Sequence, residues 1–328
     1  MSFTRARRLS LAAVGGLAAA LLAACTSSGS SNSATTASAH LEKTTVNVGA
    51  LPVVDSAGLY LARQNGYFQQ AGLTVNITPV AKSPDAIPEM QSGKVDVVAG
   101  ANYVSFFQAA EVKNLPLKLL VDGESCTDDT FEVLAKPTSG ITTASGLAHK
   151  TIAVNITNNI QTMLTNTALQ AAGVNPASVK YVAVPFPLMG KALASGAVDA
   201  ISVVEPFITE NELGVGAQPV LSTCTGPTAN FPISGYFSLS TFTQKYPNTA
   251  RAFVAALERG QALADSNRAD VSEILPTYIK GLSANQAAVV NLGQYPTALD
   301  TTHLQRVADA MAKANLSRSF QVSSLLFH

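Results

Sequence analysis

The sequence predicts an α/β protein with two lobes, each a mostly parallel sheet wrapped by helices, and a ligand cleft between the lobes. The roughly 285 residues that follow position 43 exceed what one hydrophobic core usually holds. Residues 92–98 read SGKVDVV and return as SGAVDAI at 195–201, so the two halves repeat one plan. Strand-like and helix-like segments alternate in both halves, which is typical of βαβ units.

The first half supplies three strands and two helices. Residues 45–50 alternate between polar and apolar side chains and predict the first strand. A helical pattern over 58–70 ends before a glycine, and 74–80 predict the second strand. A second helix is predicted to begin near Ser83, and the apolar run 95–100 predicts a third, buried strand.

The second half repeats this plan and is followed by elements without a repeat partner. Its predicted strands are 151–155, 179–184 and 198–204, and its predicted helices are 160–172 and 188–194. Residues 236–239 then predict a strand, Asn248 is expected to cap a helix, and another helix starts at Asp300. We expect these late elements to pack on the first lobe, so that the chain crosses between lobes near 123–130 and near 227–235.

The N-terminus reads as an export signal. An apolar run at 9–24 is short and interrupted by glycines, which is typical of a signal peptide. The run ends in LAAC, similar to the bacterial lipobox, which predicts that Cys25 is lipidated; an ordinary cleavable signal with a chance cysteine is the alternative. Arg7 and Arg8 also permit twin-arginine export, although Ser10 stands where that signal favours an apolar residue.

These patterns divide the chain into five segments. The predicted segments are a signal peptide at 1–24, a lipidated cysteine with a flexible Ser-rich tether at 25–43, lobe 1 at 44–125 and 230–328, and lobe 2 at 126–229.

Charge and cysteine content narrow the function further. Residues 1–24 hold three of the 21 basic side chains and none of the 21 acidic ones, which leaves 18 against 21 and a net charge of −3. This balance gives no electrostatic reason for nucleic-acid binding. Outside the cell an even pair of cysteines usually oxidises, so we expect a disulfide between Cys126 and Cys224, with two buried thiols as the alternative.

Short motifs recur in a fixed order between positions 45 and 265. They are GYF at 66–68 before AGL at 71–73, SGKVD at 92–96, ALASGAVDA at 192–200, EPF at 205–207 and YPN at 246–248. In this order they resemble the nitrate, sulfonate and thiamine-pyrimidine-precursor (NMT1-like) group of periplasmic binding proteins, which have a type II fold. The resemblance implies a monomeric, extracytoplasmic, membrane-anchored receptor that passes a small solute to the permease and ATPase of an ABC importer, without a cofactor.

Ligand contacts are expected in loops at the carboxyl ends of the parallel strands, because that edge faces the cleft. The resemblance implies that both lobes clamp the ligand there. Candidate ligand-binding residues in these loops are Asp55, Ser56, Ser83, Asn102, Tyr103, Thr157, Asn158, Phe186 and Glu205. Tyr103 and Phe186 are the stacking candidates, and a cap, core or solvated role is open for each residue. Asp96 and Asp199, in the repeated motif, are expected to brace strands instead.

The expected cleft loops favour a solute that donates hydrogen bonds. They contain Asp55, Asp85 and Glu205, no arginine, and Lys82 as the one nearby base. Carboxylates prefer an amine or an amino-substituted heterocycle such as a pyrimidine. A sulfonate or nitrate held by helix N-termini is the alternative, and the two aspartates also precede helices, where a carboxylate can serve as a cap.

An enzyme of the same fold is the other alternative. Pyrimidine synthases of thiamine biosynthesis share this fold, and their resemblance implies a Cys-rich iron site with a donor histidine. The histidines here fall at positions 40, 149, 303 and 328, none at metal-ligand spacing from a cysteine and none in an expected cleft loop. We therefore predict a binding protein without a metal site. A receptor that signals to a membrane sensor instead of an importer would have the same sequence features.

Overall fold

The computed structural model describes residues 40–328, which belong to one compact unit. The predictions for Cys25 and for the rest of residues 1–39 lie outside the described residues. The strands are β1 Thr45–Ala50, β2 Thr74–Pro79, β3 Val97–Asn102, β4 Leu117–Ser125, β5 Phe131–Ala135, β6 Thr151–Val154, β7 Lys180–Ala183, β8 Ala200–Val204, β9 Gln218–Ser222 and β10 Pro232–Leu239. The α-helices are α1 Ala57–Gln64, α2 Tyr67–Gln70, α3 Ile87–Gln91, α4 Tyr103–Glu111, α5 Ile160–Ala171, α6 Phe186–Ala194, α7 Phe207–Val215, α8 Ser240–Lys245, α9 Pro247–Ser266, α10 Arg268–Tyr278, α11 Ala284–Ala287 and α12 Thr301–Lys313.

The strands form two sheets with matching order. Sheet A is β2-β1-β3-β10-β4 and sheet B is β7-β6-β8-β5-β9. β10 is antiparallel to both of its neighbours in sheet A, as β5 is in sheet B, so four strands of each sheet point one way and one points the other. The prediction of two mostly parallel sheets is confirmed. We call the parts of the chain that build sheets A and B lobe 1 and lobe 2.

The chain passes between the sheets in a symmetric way. β4 is an edge strand of sheet A, and the chain leaves it to insert β5 inside sheet B. β9 is an edge strand of sheet B, and the chain leaves it to insert β10 inside sheet A. Cys126 and Cys224 lie in these two crossovers and form a disulfide, with their Cα atoms 5.9 Å apart. The predicted disulfide is therefore present, and it fastens the two crossovers to each other.

Three strands, β4, β5 and β9, did not emerge from the sequence. The first two carry carboxylates, at Asp122, Glu124 and Glu132, which interrupt the apolar pattern expected of a buried strand. All three carboxylates are nevertheless buried. Buried acidic side chains thus hide β4 and β5 from a search for apolar periodicity.

Two predicted helices differ in detail from those observed. Residues 58–70 form α1 and α2 rather than one helix, because Gly66 takes a left-handed conformation with φ 68° between them. Asn248 does not cap α9, which begins at Pro247. The backbone N–H of Asn248 donates to the carboxylate of Glu42 instead, at 3.1 Å.

The aspartates of the repeated motif brace the sheets as expected. Asp96 accepts a hydrogen bond from the backbone N–H of Asn47 at the start of sheet A, at 2.8 Å. Asp199 accepts from the backbone N–H of Thr151 at the equivalent place in sheet B, also at 2.8 Å. Asp96 immediately precedes β3 and bonds to β1, and Asp199 immediately precedes β8 and bonds to β6. Each carboxylate thus links the start of one parallel strand to the neighbouring parallel strand.

The late helices pack on lobe 1 and fix the loop before α1. Phe253 and Leu257 of α9 join the same buried cluster as Val46 of β1. α9 crosses α1 closely at Gly58, where a Cβ on Gly260 would collide with the Gly58 carbonyl oxygen. Close helix crossing thus requires glycine here, and it holds the start of α1 rigidly beside the cleft.

Candidate functional site

A narrow cavity of about 40 Å³ lies between the carboxyl ends of the parallel strands of the two sheets. The apposed edges are those at which the sequence predicted the cleft. The lining residues from lobe 1 are Leu51, Val53, Asp55, Ser83, Gly100, Asn102 and Ile233, and those from lobe 2 are Phe131, Asn155, Ile156, Asn159, Ile160, Gln161, Phe186 and Val204. Both lobes therefore contribute side chains to one enclosed site.

Asp55 is the charged group of the cavity wall. It is 5% exposed, and its Oδ2 accepts a hydrogen bond from the Ser234 hydroxyl at 2.6 Å. Its Oδ1 is buried and accepts no hydrogen bond from an N–H or hydroxyl group of the described residues. The loop that carries it is held by two tyrosine hydroxyls, from Tyr278 to the carbonyl of Val53 and from Tyr295 to the carbonyl of Val54.

Glu124 forms a carboxyl pair with Asp55. Burial raises the pKa of Glu124 well above its ordinary value, and the negative charge of Asp55 raises it further. The fold thus favours the protonated form of Glu124 over its charged form, relative to a carboxyl in water. A carboxylate offers about four lone-pair directions. The Ser234 hydroxyl occupies one of these at Oδ2, and Oδ1 has no donor among the described residues, so Asp55 keeps acceptor capacity for a ligand.

The other polar side chains of the lobe 1 wall are the amide of Asn102 and the hydroxyl of Ser83, and both make structural hydrogen bonds. Asn102 caps α4, since its Oδ1 accepts from the backbone N–H of Ser105 at 2.9 Å. Its Nδ2 donates to the hydroxyl of Ser83 at 3.2 Å. These bonds orient both side chains at the cavity.

The polar side chains of the lobe 2 wall are amides. Asn159 caps α5 through a hydrogen bond from the backbone N–H of Gln161 to its Oδ1. The Gln161 side chain accepts from the backbone N–H of Asn155 at 2.7 Å and donates to the carbonyl of Ser202. The side-chain oxygen of Asn155 is buried without a partner among the described residues. One acceptor from each lobe is thus left for an occupant.

An aromatic pair closes the lobe 2 side. Phe186 stacks on Phe207 with ring centroids 5.0 Å apart, and both rings are buried. Phe186 also lines the cavity, and its role as a stacking surface for a ligand stays a prediction.

The predicted site residues divide into two groups. Asp55, Ser83, Asn102 and Phe186 line the cavity together, whereas the other five do not. Ser56 is fully buried next to it and donates to the carbonyl of Leu51.

The prediction of Tyr103 as a stacking surface is wrong. Its ring is fully buried in the core of lobe 1 against Phe107 and Phe237, and its hydroxyl donates to Asp122. Thr157 and Asn158 are exposed, outside the cavity wall. The flanking Asn155 and Asn159 of this loop line the cavity instead.

Glu205 is a brace between the lobes in this structure. Its carboxylate accepts from the backbone N–H and the hydroxyl of Thr209 in its own lobe, and from the backbone N–H of Asn291 at 2.9 Å in lobe 1. It is fully buried and does not line the cavity. Burial raises its pKa to about 7.

Three further features were sought in the part of the chain that the structure describes: a metal site, a histidine or cysteine at the cavity, and a membrane-spanning helix. No three histidine, cysteine, aspartate or glutamate side chains among residues 40–328 lie close enough to share a metal ion. Neither a histidine nor a cysteine lines the cavity. None of the helices described is long and apolar enough to cross a membrane.

Solved structures with the same fold have low sequence identity to this chain. The aliphatic sulphonate binding protein SsuA from Escherichia coli has a TM-score of 0.70 at 17% identity, covering 86% of this chain and 97% of its own. The nitrate-binding protein NrtA from Synechocystis has a TM-score of 0.71 at 13% identity, covering 87% and 85%. DSZB in complex with biphenyl-2-sulfinic acid has a TM-score of 0.64 at 16% identity, covering 84% and 94%. These similarities establish the two-lobed fold of periplasmic binding proteins.

The solved structures show the fold, whereas comparison with protein-family models identifies the family. A search among curated protein sequences found no match. The family model described as NMT1/THI5 like matches residues 53–268, which is more than half of the 328-residue chain and includes every lining residue of the cavity except Leu51. The chain therefore belongs to the NMT1/THI5-like family, as the motif order predicted.

Proposed function

We propose that the protein is an extracytoplasmic solute-binding receptor that delivers a small organic cation to an ABC importer. The favoured ligand is a protonated amine or an amino-substituted heterocycle such as a pyrimidine. It binds in the interlobe cavity, where Asp55 accepts its N–H donors. We expect a monomer that closes on its ligand, because a ligand shifts the open and closed populations only if it binds them differently.

The unused acceptor capacity of Asp55 carries this proposal. A buried carboxylate without enough donors is costly, so an occupant that supplies N–H groups is favoured. No lysine or arginine lines the cavity to neutralise it. The unpartnered amide oxygen of Asn155 faces the same space from the other lobe.

A small anion is the second candidate, because α4 and α5 begin at the cavity and helix N-termini attract anions. Two of the neighbours with this fold are named for binding aliphatic sulphonate and nitrate. Here, however, the Asn102 and Asn159 side chains already accept from backbone N–H groups of the first turns. This leaves fewer donors for an anion and favours the cationic ligand.

An enzyme is disfavoured by the composition of the cavity. One neighbour, DSZB, was solved with a bound sulfinic acid, so the fold accommodates ligands other than transported solutes. A hydrolase or an iron enzyme would need a histidine or cysteine among the lining residues, and the described cavity contains neither.

Ligand screening tests the proposal. Calorimetry and thermal shift with amines, aminopyrimidines, sulfonates and nitrate should identify binders, since bound ligand raises stability by mass action. Asp55→Asn should weaken binding of a cationic ligand by about 10- to 100-fold, the worth of a charge-assisted hydrogen bond. Asp85→Asn, an exposed aspartate outside the cavity, is the matched control and should bind normally. Tight binding of a sulfonate or nitrate that survives Asp55→Asn would replace the cation with an anion.

We also propose that Cys25 anchors the receptor to the bacterial cell membrane through acyl chains. Two or more chains bind a membrane stably. In cell fractionation the wild type should stay with membranes, and Cys25→Ser should appear in the soluble extracytoplasmic fraction. A Cys25→Ser protein that still sediments with membranes would contradict the anchor.

A further inference from the structure

A second cavity lies at the free edge of β4, apart from the interlobe site. It encloses about 490 Å³ and shares no lining residue with the interlobe cavity. Its walls come from β4, from the segment that runs from Gln294 to α12, from Asp265 near the end of α9 and from Asn230 just before β10. Ser125 and Gln294 pair across this edge through two backbone hydrogen bonds, so the wall is ordered by main-chain contacts.

The charged groups of this cavity are acidic. Asp122, Asp265 and Asp300 line it together with His303, and no lysine or arginine does. Arg306 lies beside the rim, but its guanidinium donates to the carbonyls of Asn230 and Ala229 rather than to an aspartate.

Two of the aspartates have structural bonds as well. Asp300 caps α12 by accepting from the backbone N–H groups of Thr302 and His303 through Oδ1. Asp265 accepts from the backbone N–H of Tyr295 through Oδ1. Both aspartates are exposed at the rim, so their remaining oxygens can be hydrated.

Asp122 is different because it is buried and incompletely bonded. It is 1% exposed, and its Oδ1 accepts from both the Tyr103 hydroxyl and the Gly123 backbone N–H. Its Oδ2 is buried and has no partner among the described residues. The two nearby donors are thus spent on one oxygen, and the fold supplies none for the other. Burial, with a smaller contribution from the Asp300 charge, raises the pKa of this carboxyl to about 7, and a cation there would relieve both effects.

We propose that this cavity is a second binding site, which takes a small organic cation with an ammonium or guanidinium group anchored by Asp122 and attracted by Asp265 and Asp300. A metal ion is a poor fit, since no three possible ligands among residues 40–328 converge on a point. A guanidinium or ammonium group instead donates several N–H bonds over a wider span, which suits separated carboxylates. The proposal does not depend on the identity of the transported solute.

The test uses agmatine, with butanol as the neutral control, on the Asp55→Asn protein, so that the interlobe site is weakened. Proton NMR of the His303 ring, in the cavity wall beside the Ser125 hydroxyl at 3.0 Å, gives a local readout. Agmatine should shift this ring signal with saturation, and butanol should not.

Variants then assign the shift to the cavity. Thr297 is exposed on the wall, so Thr297→Arg should fold normally and weaken agmatine binding at least tenfold by placing a cation in the site. Thr301→Arg adds the same charge outside the wall and should bind as the host does. Asp122→Asn and Asp265→Asn should each weaken binding about 10-fold or more, as expected for a lost charge-assisted bond. An unchanged His303 signal at saturating agmatine, or an equal shift in Thr297→Arg, would overturn the proposal.

Discussion

The two lobes share a strand order but contribute different chemistry to the cavity between them. The order is β2-β1-β3-β10-β4 in sheet A and β7-β6-β8-β5-β9 in sheet B. In each sheet the three strands of the βαβαβ unit lie side by side, next to them lies one antiparallel strand, and beyond it lies an edge strand. The lobe 1 wall contains the Asp55 carboxylate, with Glu124 behind it, whereas the lobe 2 wall contains amides and the Phe186 ring. The repeated plan thus sets where the cavity lies, and residues outside the repeated motif set what it binds. We infer that lobe 1 selects charge and lobe 2 completes the enclosure.

The largest expected effect comes from the covalent link between the lobes. The disulfide closes a loop with a sequence separation of 98 residues. Replacing both Cys126 and Cys224 by serine should lower the free energy of unfolding by up to about 4–5 kcal/mol, according to the loop-entropy model. Denaturant unfolding of the two proteins measures the difference.

The reduced wild type provides the control for that experiment. It should unfold at nearly the same denaturant concentration as the double variant, because both lack the cross-link. Equal stability of oxidised and reduced wild type would mean that noncovalent contacts alone hold the two crossovers together.

A smaller effect is expected at the hydrogen-bonded contact between the lobes. Glu205→Gln replaces a carboxylate that accepts from Asn291 and Thr209 with an amide that has only one acceptor oxygen. The variant should lose about 1–3 kcal/mol of stability, the cost of an unpaired buried donor, while ligand affinity changes little. Glu210→Gln, at an exposed position of α7 shortly after Glu205, lacks these bonds and serves as the control. A large loss of affinity without a change in melting temperature would instead make Glu205 a ligand contact.

The pH dependence sharpens the Glu205 prediction. Its pKa rises from the ordinary value of 4.5 to about 7 in the folded protein. Between these values the folded state binds a proton that the unfolded chain has released. The contribution of this group to stability therefore decreases as the pH rises from 4.5 through 7. Melting temperatures measured across this window should depend less on pH in Glu205→Gln than in the wild type.

The smallest effect compares the equivalent aspartates of the repeated motif. Asp96 has an additional partner, the ammonium of Lys43 at 2.6 Å, and is buried, whereas Asp199 is only partly buried. Asp96→Asn should cost about 1–3 kcal/mol and Asp199→Asn about 0.5–1.5 kcal/mol, since bonds to charged groups are the stronger ones. Thermal unfolding of both variants measures this difference. A larger loss of stability in Asp199→Asn than in Asp96→Asn would contradict the prediction that the additional bond to Lys43 makes Asp96 the stronger brace.

Sequence predicted the secondary structure correctly where the local pattern of apolar and polar residues matches the burial of those residues in the folded protein. The six parallel strands of the two βαβαβ units and the helices α5, α6 and α12 followed from apolar periodicity and caps. β4 could not be found in this way, because Asp122 and Glu124 are buried by tertiary contacts that a local pattern does not contain. Since β4 was missed, the partner of Asp55 and the second cavity were missed with it.

The candidate site shows the same limit at the level of single residues. Sheet topology pointed to the loops at the strand ends, and residues of several of these loops line the interlobe cavity, because carboxyl ends of parallel strands meet at one edge. Which side chain of a loop points inward depends on local backbone conformation. Asn158 has a positive φ of 56°, and it faces solvent while its neighbour Asn159 is buried as the cap of α5. Only the folded loop distinguishes adjacent asparagines in this way.

The position of the disulfide also makes lobe 2 separable by protein engineering. The chain enters this lobe after Cys126 and leaves it near Cys224, and the Cα atoms of the two residues are 5.9 Å apart. Consecutive Cα atoms are about 3.8 Å apart, so a linker of one or two residues spans that gap. The whole of sheet B is therefore an insertion whose two ends already meet. Such an arrangement suits grafting, in which a second lobe with different amides and aromatics is exchanged while the carboxylates of lobe 1 stay in place.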